Sequence, residues 1–199
     1  MADQGEWPAL PLSAWKDTRD TLHLYTQIVG KVRLALTPVE RERANVPFYL
    51  TPRGLTTSGI PQDDLLLQID FDFVRHAIDI TTSDGRGQSI PLVPARCVAD
   101  IYAALMAALS ALDIHVKIWP KSVEVANPTF WTEDRMHDSY DPEYAHRFWQ
   151  VLVRVGSAFM EHRASFRGRH TPVHFFGARS IWPTGGSRDG RPKLRPTAT

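Results

Sequence analysis

Cysteine is almost missing: Cys97 is the one thiol in 199 residues. A lone thiol excludes an internal disulfide and a cysteine-based zinc site. Long apolar runs are missing too, and none approaches the ~18 residues of a membrane-spanning helix. The opening MADQGEWPALPL has acids where a secretory leader carries bases, and its apolar run is too short. With the single thiol, this makes a reducing cytoplasm the expected compartment. The chain has no HExxH, no phosphate-binding loop with its lysine, no GxSxG elbow and no internal repeat. The local signatures of zinc proteolysis, nucleotide hydrolysis and serine-elbow hydrolysis are therefore absent.

What remains is ordinary globular composition, 43% hydrophobic and 23% charged, which excludes a disordered or collagen-like chain. The net charge of +1 conceals an asymmetry. From Arg163 onward there are eight basic residues and one acid, Asp189. Of the 23 basic and 22 acidic residues in the whole chain, 15 and 21 are left for the body, a net of −6. A basic end on an acidic body is a common mark of nucleic-acid or anionic-surface binding.

Periodicity outlines the elements. Trp15, Thr18, Leu22, Tyr25, Val29, Val32 and Leu36 form one helical stripe, with Ser13 as the expected cap and Thr37-Pro38 as the stop. Val46–Thr51 and Leu55–Ser58 read as strands about the turn Pro52-Arg53-Gly54. Leu65–Phe73 alternates apolar with largely polar residues, and His76–Thr82 and Gln88–Val93 continue an antiparallel meander. A second helix is expected over Ala95–Leu112, then a strand Ile114–Trp119 continuing through Ser122–Val125. Asp141-Pro142 should cap a third helix whose apolar side is Tyr144, Phe148, Val151, Leu152, Val155 and Phe159. The expected fold class is α+β: one antiparallel meander sheet packed against about three helices, as a single domain over residues 8–176.

Polar residues on these elements mark candidate chemistry. Arg19, His23, Gln27 and Gly30 fall three or four apart on the first helix, with Thr26 beside them, so they form a column able to grip one polar ligand. The same spacing also fits a solvated face with a packing glycine. Asp70 and Asp72 share a strand face with His76 just beyond; they fit an acid/base pair or simply the wet side of a half-buried strand. Arg53 with Gly54 and the hydroxyls of Thr56, Thr57 and Ser58 suits an anion or carboxylate. Eight histidines include no local metal motif, and Pro172 between His170 and His174 argues against a helical ligand pair. Cys97, beside the apolar side of the second helix, reads as inert packing.

The runs TLHLYTQIVGKVRLAL, PRGLTTS, IDFDFVRH, TSDGR, SYDPE, HRFW and PVHFF, in that order, resemble an uncharacterised bacterial family built on a domain of unknown function. The likeness spans about Leu12 to Phe176. It implies a cytoplasmic α+β protein and carries no established activity. The family's recurring polar positions correspond to His23, Gln27, Lys31, Arg33, Arg53, Asp72, His137, Tyr140 and His174, which favours a pocket on the first helix.

Two departures stand out. Relatives read Asn-His-Trp-Trp before the first strand where this chain has Arg41-Glu42-Arg43-Ala44-Asn45. After PVHFF they continue with a segment like WGSFDLAVTRFSGR, whereas this chain reads GARSIWPTGGSRDGR. Shifted to start at the last base of the Phe176 codon, codons for Gly177–Arg191 permit Trp, Gly, Ser, Phe, Asp, Leu or Met, and Ala in the relatives' order. The tail 177–199 is thus expected to be an out-of-frame, non-native and disordered segment, with four glycines, three prolines and four arginines. Its basic charge then says little about nucleic acid.

The resulting expectation is a pocket protein for a small polar or anionic molecule, an enzyme in intact relatives. His23, His174 and Asp72 are the candidate catalytic groups, with His23 as general acid/base or ligand anchor. Gln27, Lys31, Arg33, Arg53 and Tyr140 are the candidate substrate-binding groups; Gln27 orients, while Arg53 and Lys31 neutralise an anion. A metal, if one is bound, would sit on His23, His137 and His174; no cofactor is assigned. The alternatives are a non-catalytic binding or interaction module, and weak nucleic-acid binding through the tail. No membrane partner is expected, nucleic acid is disfavoured, and oligomeric state stays open.

Overall fold

The computed structural model describes residues 7–38, 40, 45–122, 125, 127–168 and 170–176. Its frame is a six-stranded antiparallel sheet with three helices, as the sequence pattern predicts. The elements are α1 (Leu12–Leu36), β1 (Tyr49–Thr51), β2 (Gly54–Thr56), β3 (Ile60–Gln62), β4 (Leu65–Asp72), β5 (Ala77–Thr82), β6 (Gly87–Pro91), α2 (Val98–Ala111) and α3 (Pro142–Ser165). The strand order is β1-β2-β4-β5-β6, with β3 pairing to β4 beyond the end of β2.

Alternation in β4 sets the two faces of the sheet. Leu50, Leu55, Phe71, Ile78 and Ile90 line up across the strands as one row on the core side. Thr56, Asp70, Asp79 and Ser89 form the neighbouring row on the opposite face. The core face packs with Leu22, Tyr25, Ile28, Val29 and Val32 of α1, all buried. Helix α1 is central: it meets α2, α3 and β3, and from Thr21 to Arg33 only His23 and Lys31 escape full burial. Helix α3 is peripheral, with Ala145, Leu152 and Gly156 fully buried.

Several sequence expectations need correction. Ser13 lies inside α1, whose N-cap is Pro11 with no side-chain cap. The strand expected over Leu55–Ser58 breaks, and its continuation is the unforeseen β3. Ser58 turns the chain in the left-handed region at φ 59°. Thr57 keeps the ladder closed: its amide donates to the Ile69 carbonyl and its Oγ1 accepts from the Ile69 amide, both at 3.0 Å. A bulge of this kind bends the edge without orphaning a donor. Ile114–Trp119 joins no sheet among the described residues; just beyond it Lys121 makes an isolated bridge with Phe130, and residues 123 and 124 of its expected continuation lie outside the described residues. Tyr144, Phe148, Val151, Val155 and Phe159 are half-buried, not core. The Asp141 cap is as expected: its carboxylate accepts from the amides of Glu143 and Tyr144, with Pro142 in the first turn. The tail expected to be disordered, 177–199, lies outside the described residues.

The end of the PVHFF run docks beside β1. Phe48 and Phe175 exchange two backbone hydrogen bonds of 2.7 Å. This bridge carries His174 to the edge of the sheet, over the C-terminal end of α1.

Candidate functional site

The polar residues singled out in the sequence fall into separate clusters. The first lies where the β4–β5 hairpin meets α3. Asp72, only 4% exposed, accepts from Arg53 Nε at 2.6 Å and from the amides of Val74 and Arg75 at 2.9 and 2.7 Å. Burial pushes its pKa up, but these donors outweigh burial and hold it below the ordinary 3.8. Its oxygens therefore already serve the turn. Beside it His76 takes φ 56°, a position where glycine or asparagine is cheaper. Its Nδ1 lies 3.1 Å from the Tyr140 hydroxyl. Burial first, then the nearby His146, lower the His76 pKa against the pull of Asp72. Burial raises the pKa of Tyr140, so its phenol stays protonated and can donate to His76. His146 donates through Nδ1 to the Phe73 carbonyl at 3.1 Å.

The second cluster is the column on α1. Gln27, 4% exposed, has its Nε2 3.0 Å from His23 Nε2 and accepts on Oε1 from the Ser122 hydroxyl. An amide nitrogen only donates, so His23 Nε2 is the acceptor and its lone pair is already engaged. Lys31, one turn on, donates to the carbonyls of Trp119 and Lys121 and stands 4.9 Å over the Trp131 ring. Burial lowers its pKa. The column thus fastens the 119–131 segment to α1. A Cβ on Gly30 would meet only the Phe48 ring at 3.9 Å, an ordinary contact, so close backbone approach is not what this glycine serves.

The third cluster gathers at the last turns of α1. Arg33 is 7% exposed, and its Nε and Nη1 have no hydrogen-bond partner among the described residues. Its Cζ lies 5.6 Å from the Tyr49 ring centroid. Burial lowers its pKa, while Tyr49, by charge and by a side-chain hydrogen bond, and the charge of Glu40 oppose that effect; a guanidinium stays charged regardless. His174, also 7% exposed, meets the same Tyr49 ring at 6.4 Å and the Phe176 ring at 4.8 Å. Its Nδ1 is 2.7 Å from the Pro172 carbonyl. A carbonyl only accepts, so Nδ1 is the donor. Nearby, Thr37 Oγ1 donates to the Arg33 carbonyl at 2.7 Å and accepts from Asn45 Nδ2 at 3.1 Å. Asn45 Oδ1 is buried without a partner among the described residues.

Arg33 and His174 are thus brought together around Tyr49, and His23 with Gln27. Arg53 joins Asp72, and Tyr140 joins His76. His23 and Arg33 are ten residues apart on one helix, about 15 Å along its axis, so their clusters are separate. His137 stands alone, its Nδ1 2.8 Å from the buried Asp134 carboxylate. Among the described residues no three His, Cys, Asp or Glu side chains are grouped to hold a metal ion, so His23, His137 and His174 are not brought together as ligands. Cys97 is buried and free. Two surface concavities lie elsewhere. One of about 410 Å³ on the open sheet face is lined by Arg53, Asp70, Asp72, Arg75 and Asp79. The other, about 360 Å³, lies between β6 and the alanines of α2.

Tyr49, Asn45, Ser122 and His146 were not legible as site residues. Tyr49 fits strand alternation as any aromatic does, and Asn45 sits in a turn before the first strand. No helix among the described residues is long and apolar enough to cross a membrane. No curated protein and no solved structure matches the chain. Residues 7–179 match a family of unknown function (DUF5996), a span that takes in every residue of these clusters, and the chain belongs to that family.

Proposed function

We propose that this protein binds a small anionic molecule at Arg33, with Tyr49 and His174 as neighbours of the bound anion. The observation that carries the reading is the buried guanidinium with two unpartnered nitrogens. Taking a charge out of water costs several kcal/mol unless hydrogen bonds and an opposite charge replace the solvent. An anion at Arg33 supplies both. Lys31 and Arg53, the cations first expected to neutralise a ligand, already have partners in Trp119, Lys121 and Asp72. His174 brings its imidazole to the same ring. The role is binding; His23, whose Nε2 lone pair is held by Gln27, acts as a brace for the 119–131 segment.

Residues 8–176 are taken as the binding domain, without a role for the tail or for nucleic acid. A cytoplasmic setting belongs to the reading and rests on the lone thiol, Cys97. The test is thermal-shift titration of the full chain and of Arg33→Met with small anions of varied shape at constant ionic strength. Stabilisation of the wild type that the variant loses supports the reading. A wild type indifferent to every anion, or a variant that responds equally, overturns it.

A further inference from the structure

The surroundings of Arg33 narrow the class of anion. Building on the anion-binding reading, we infer that the ligand is a monocarboxylate whose apolar part lies against the rings of Tyr49 and Phe176, and not a phosphate or sulfate. Charge is the first argument. Arg33 is the one buried Arg or Lys side chain among the described residues, and the Nδ1 proton of His174 is already given to the Pro172 carbonyl at 2.7 Å. Glu40 lies near enough to act electrostatically on Arg33, and a dianion would meet it with twice the repulsion of a monoanion. Tetrahedral dianions are ordinarily held by several cations or a fan of backbone amides; neither is present around Arg33 among the described residues.

Donor and acceptor balance is the second argument. Arg33 Nε and Nη1 offer hydrogens, whereas Asn45 Oδ1 can only accept. Sulfate has no hydrogen for such an acceptor, and hydrogen phosphate has one. A carboxylate meets the two donors with its paired oxygens, and a hydroxyl or amine elsewhere in the molecule meets the acceptor; benzoate carries the paired oxygens and the ring without that second group. The third argument is the wall. Tyr49, His174 and Phe176 are linked ring to ring at 6.4 and 4.8 Å, which gives an apolar body something to bury against.

The experiment compares benzoate and acetate with phosphate and sulfate on the full chain at equal ionic strength. The readouts are melting temperature and the Arg33 Nε–Hε resonance, assigned with Arg33→Lys. Benzoate should move that resonance and, at about a hundredfold excess over its Kd, raise the melting temperature by about 5–10 °C. Acetate should act more weakly, and the two dianions should do neither. Phosphate or sulfate acting where benzoate does not overturns the carboxylate class and leaves the anion reading standing. Failure of all four overturns both. A benzoate-induced melting shift that persists in Arg33→Met, or that leaves the wild-type Arg33 resonance unmoved, places the binding elsewhere and overturns the inference. The resonance readout uses the wild-type protein and is independent of how any variant folds.

Discussion

Replacing Arg33 with methionine should make the ligand-free protein more stable while abolishing its response to anions. Two guanidinium nitrogens are buried without partners, and each unmet donor costs about 1–3 kcal/mol. Methionine ends level with Nε, places no donor there and leaves the space of the guanidinium tip unfilled. What is lost is the side-chain hydrogen bond to Tyr49 and the cation over the Tyr49 ring at 5.6 Å, together worth about 2 kcal/mol. The balance favours the variant by about 2 kcal/mol, which for a chain of this size moves the melting temperature up by about 4–8 °C. Circular-dichroism melting of both proteins in a low-salt zwitterionic buffer measures it. Saturating benzoate should then reverse the order, because about 2.7 kcal/mol is gained by the wild type alone at a hundredfold excess over Kd. A variant that melts several degrees below the wild type without ligand would refute the reasoning, since the guanidinium would then be a net stabiliser with its donors met.

Asp72→Asn should cost about 2–3 kcal/mol near neutrality, since it weakens the Arg53 pairing and the cap on the Val74 and Arg75 amides. The folded carboxyl lies below its ordinary 3.8, so its stabilisation is complete above that value and vanishes as pH falls through the lower folded one. The gap between wild type and variant in urea melts should therefore close in acid. His76 has the same sign of dependence: its folded pKa is below 6.5 through burial and His146, so it destabilises the fold only as pH drops beneath 6.5. An imidazole NMR titration should show His76 titrating below the free value and rising toward it in His146→Gln. Gly54→Ala would put a Cβ 1.8 Å from the Phe71 carbonyl oxygen, a backbone clash expected to cost about 3 kcal/mol or more. Gly156→Ala meets only the tip of Leu50 at 2.5 Å, and the helix preference for alanine, about 1 kcal/mol, offsets the adjustment; denaturant midpoints should separate the two. Deleting residues 177–199 should change neither the melting temperature nor the benzoate shift.

The fold was legible wherever one physical signal dominated. Alternation along Leu65–Phe73 located β4 and its faces, because a strand with one wet side must alternate. Asp141-Pro142 located the start of α3, because the capping carboxylate and the proline act within a single turn. Signals that depend on distant partners were misread. Ile114–Trp119 has the residue types of a strand, but strand formation also needs a neighbour with free backbone groups, and the sheet's ladder passes elsewhere. Thr57–Gly59 carried no mark of a bulge, because the hydroxyl that closes it looks like any other threonine.

The site failed to read for a related reason. A polar column on a helix is the same pattern whether water, a ligand or another part of the chain satisfies it. His23 and Gln27 look outward in sequence, yet Gln27 is buried and spends its amide on His23 and Ser122. Arg33, three residues beyond Gly30, is the cation left with donors to spare among the described residues. The decisive property was not polarity but a deficit of partners, and a deficit exists only once every neighbour has been placed. Family resemblance supplied Arg33 and His174 as positions without saying that Tyr49 stands between them. A polar group whose bonds are complete has nothing left for a ligand. That holds for Asp72, Lys31, Gln27 and Arg53, whereas the guanidinium at the end of α1 is a buried cation whose donors are not all met.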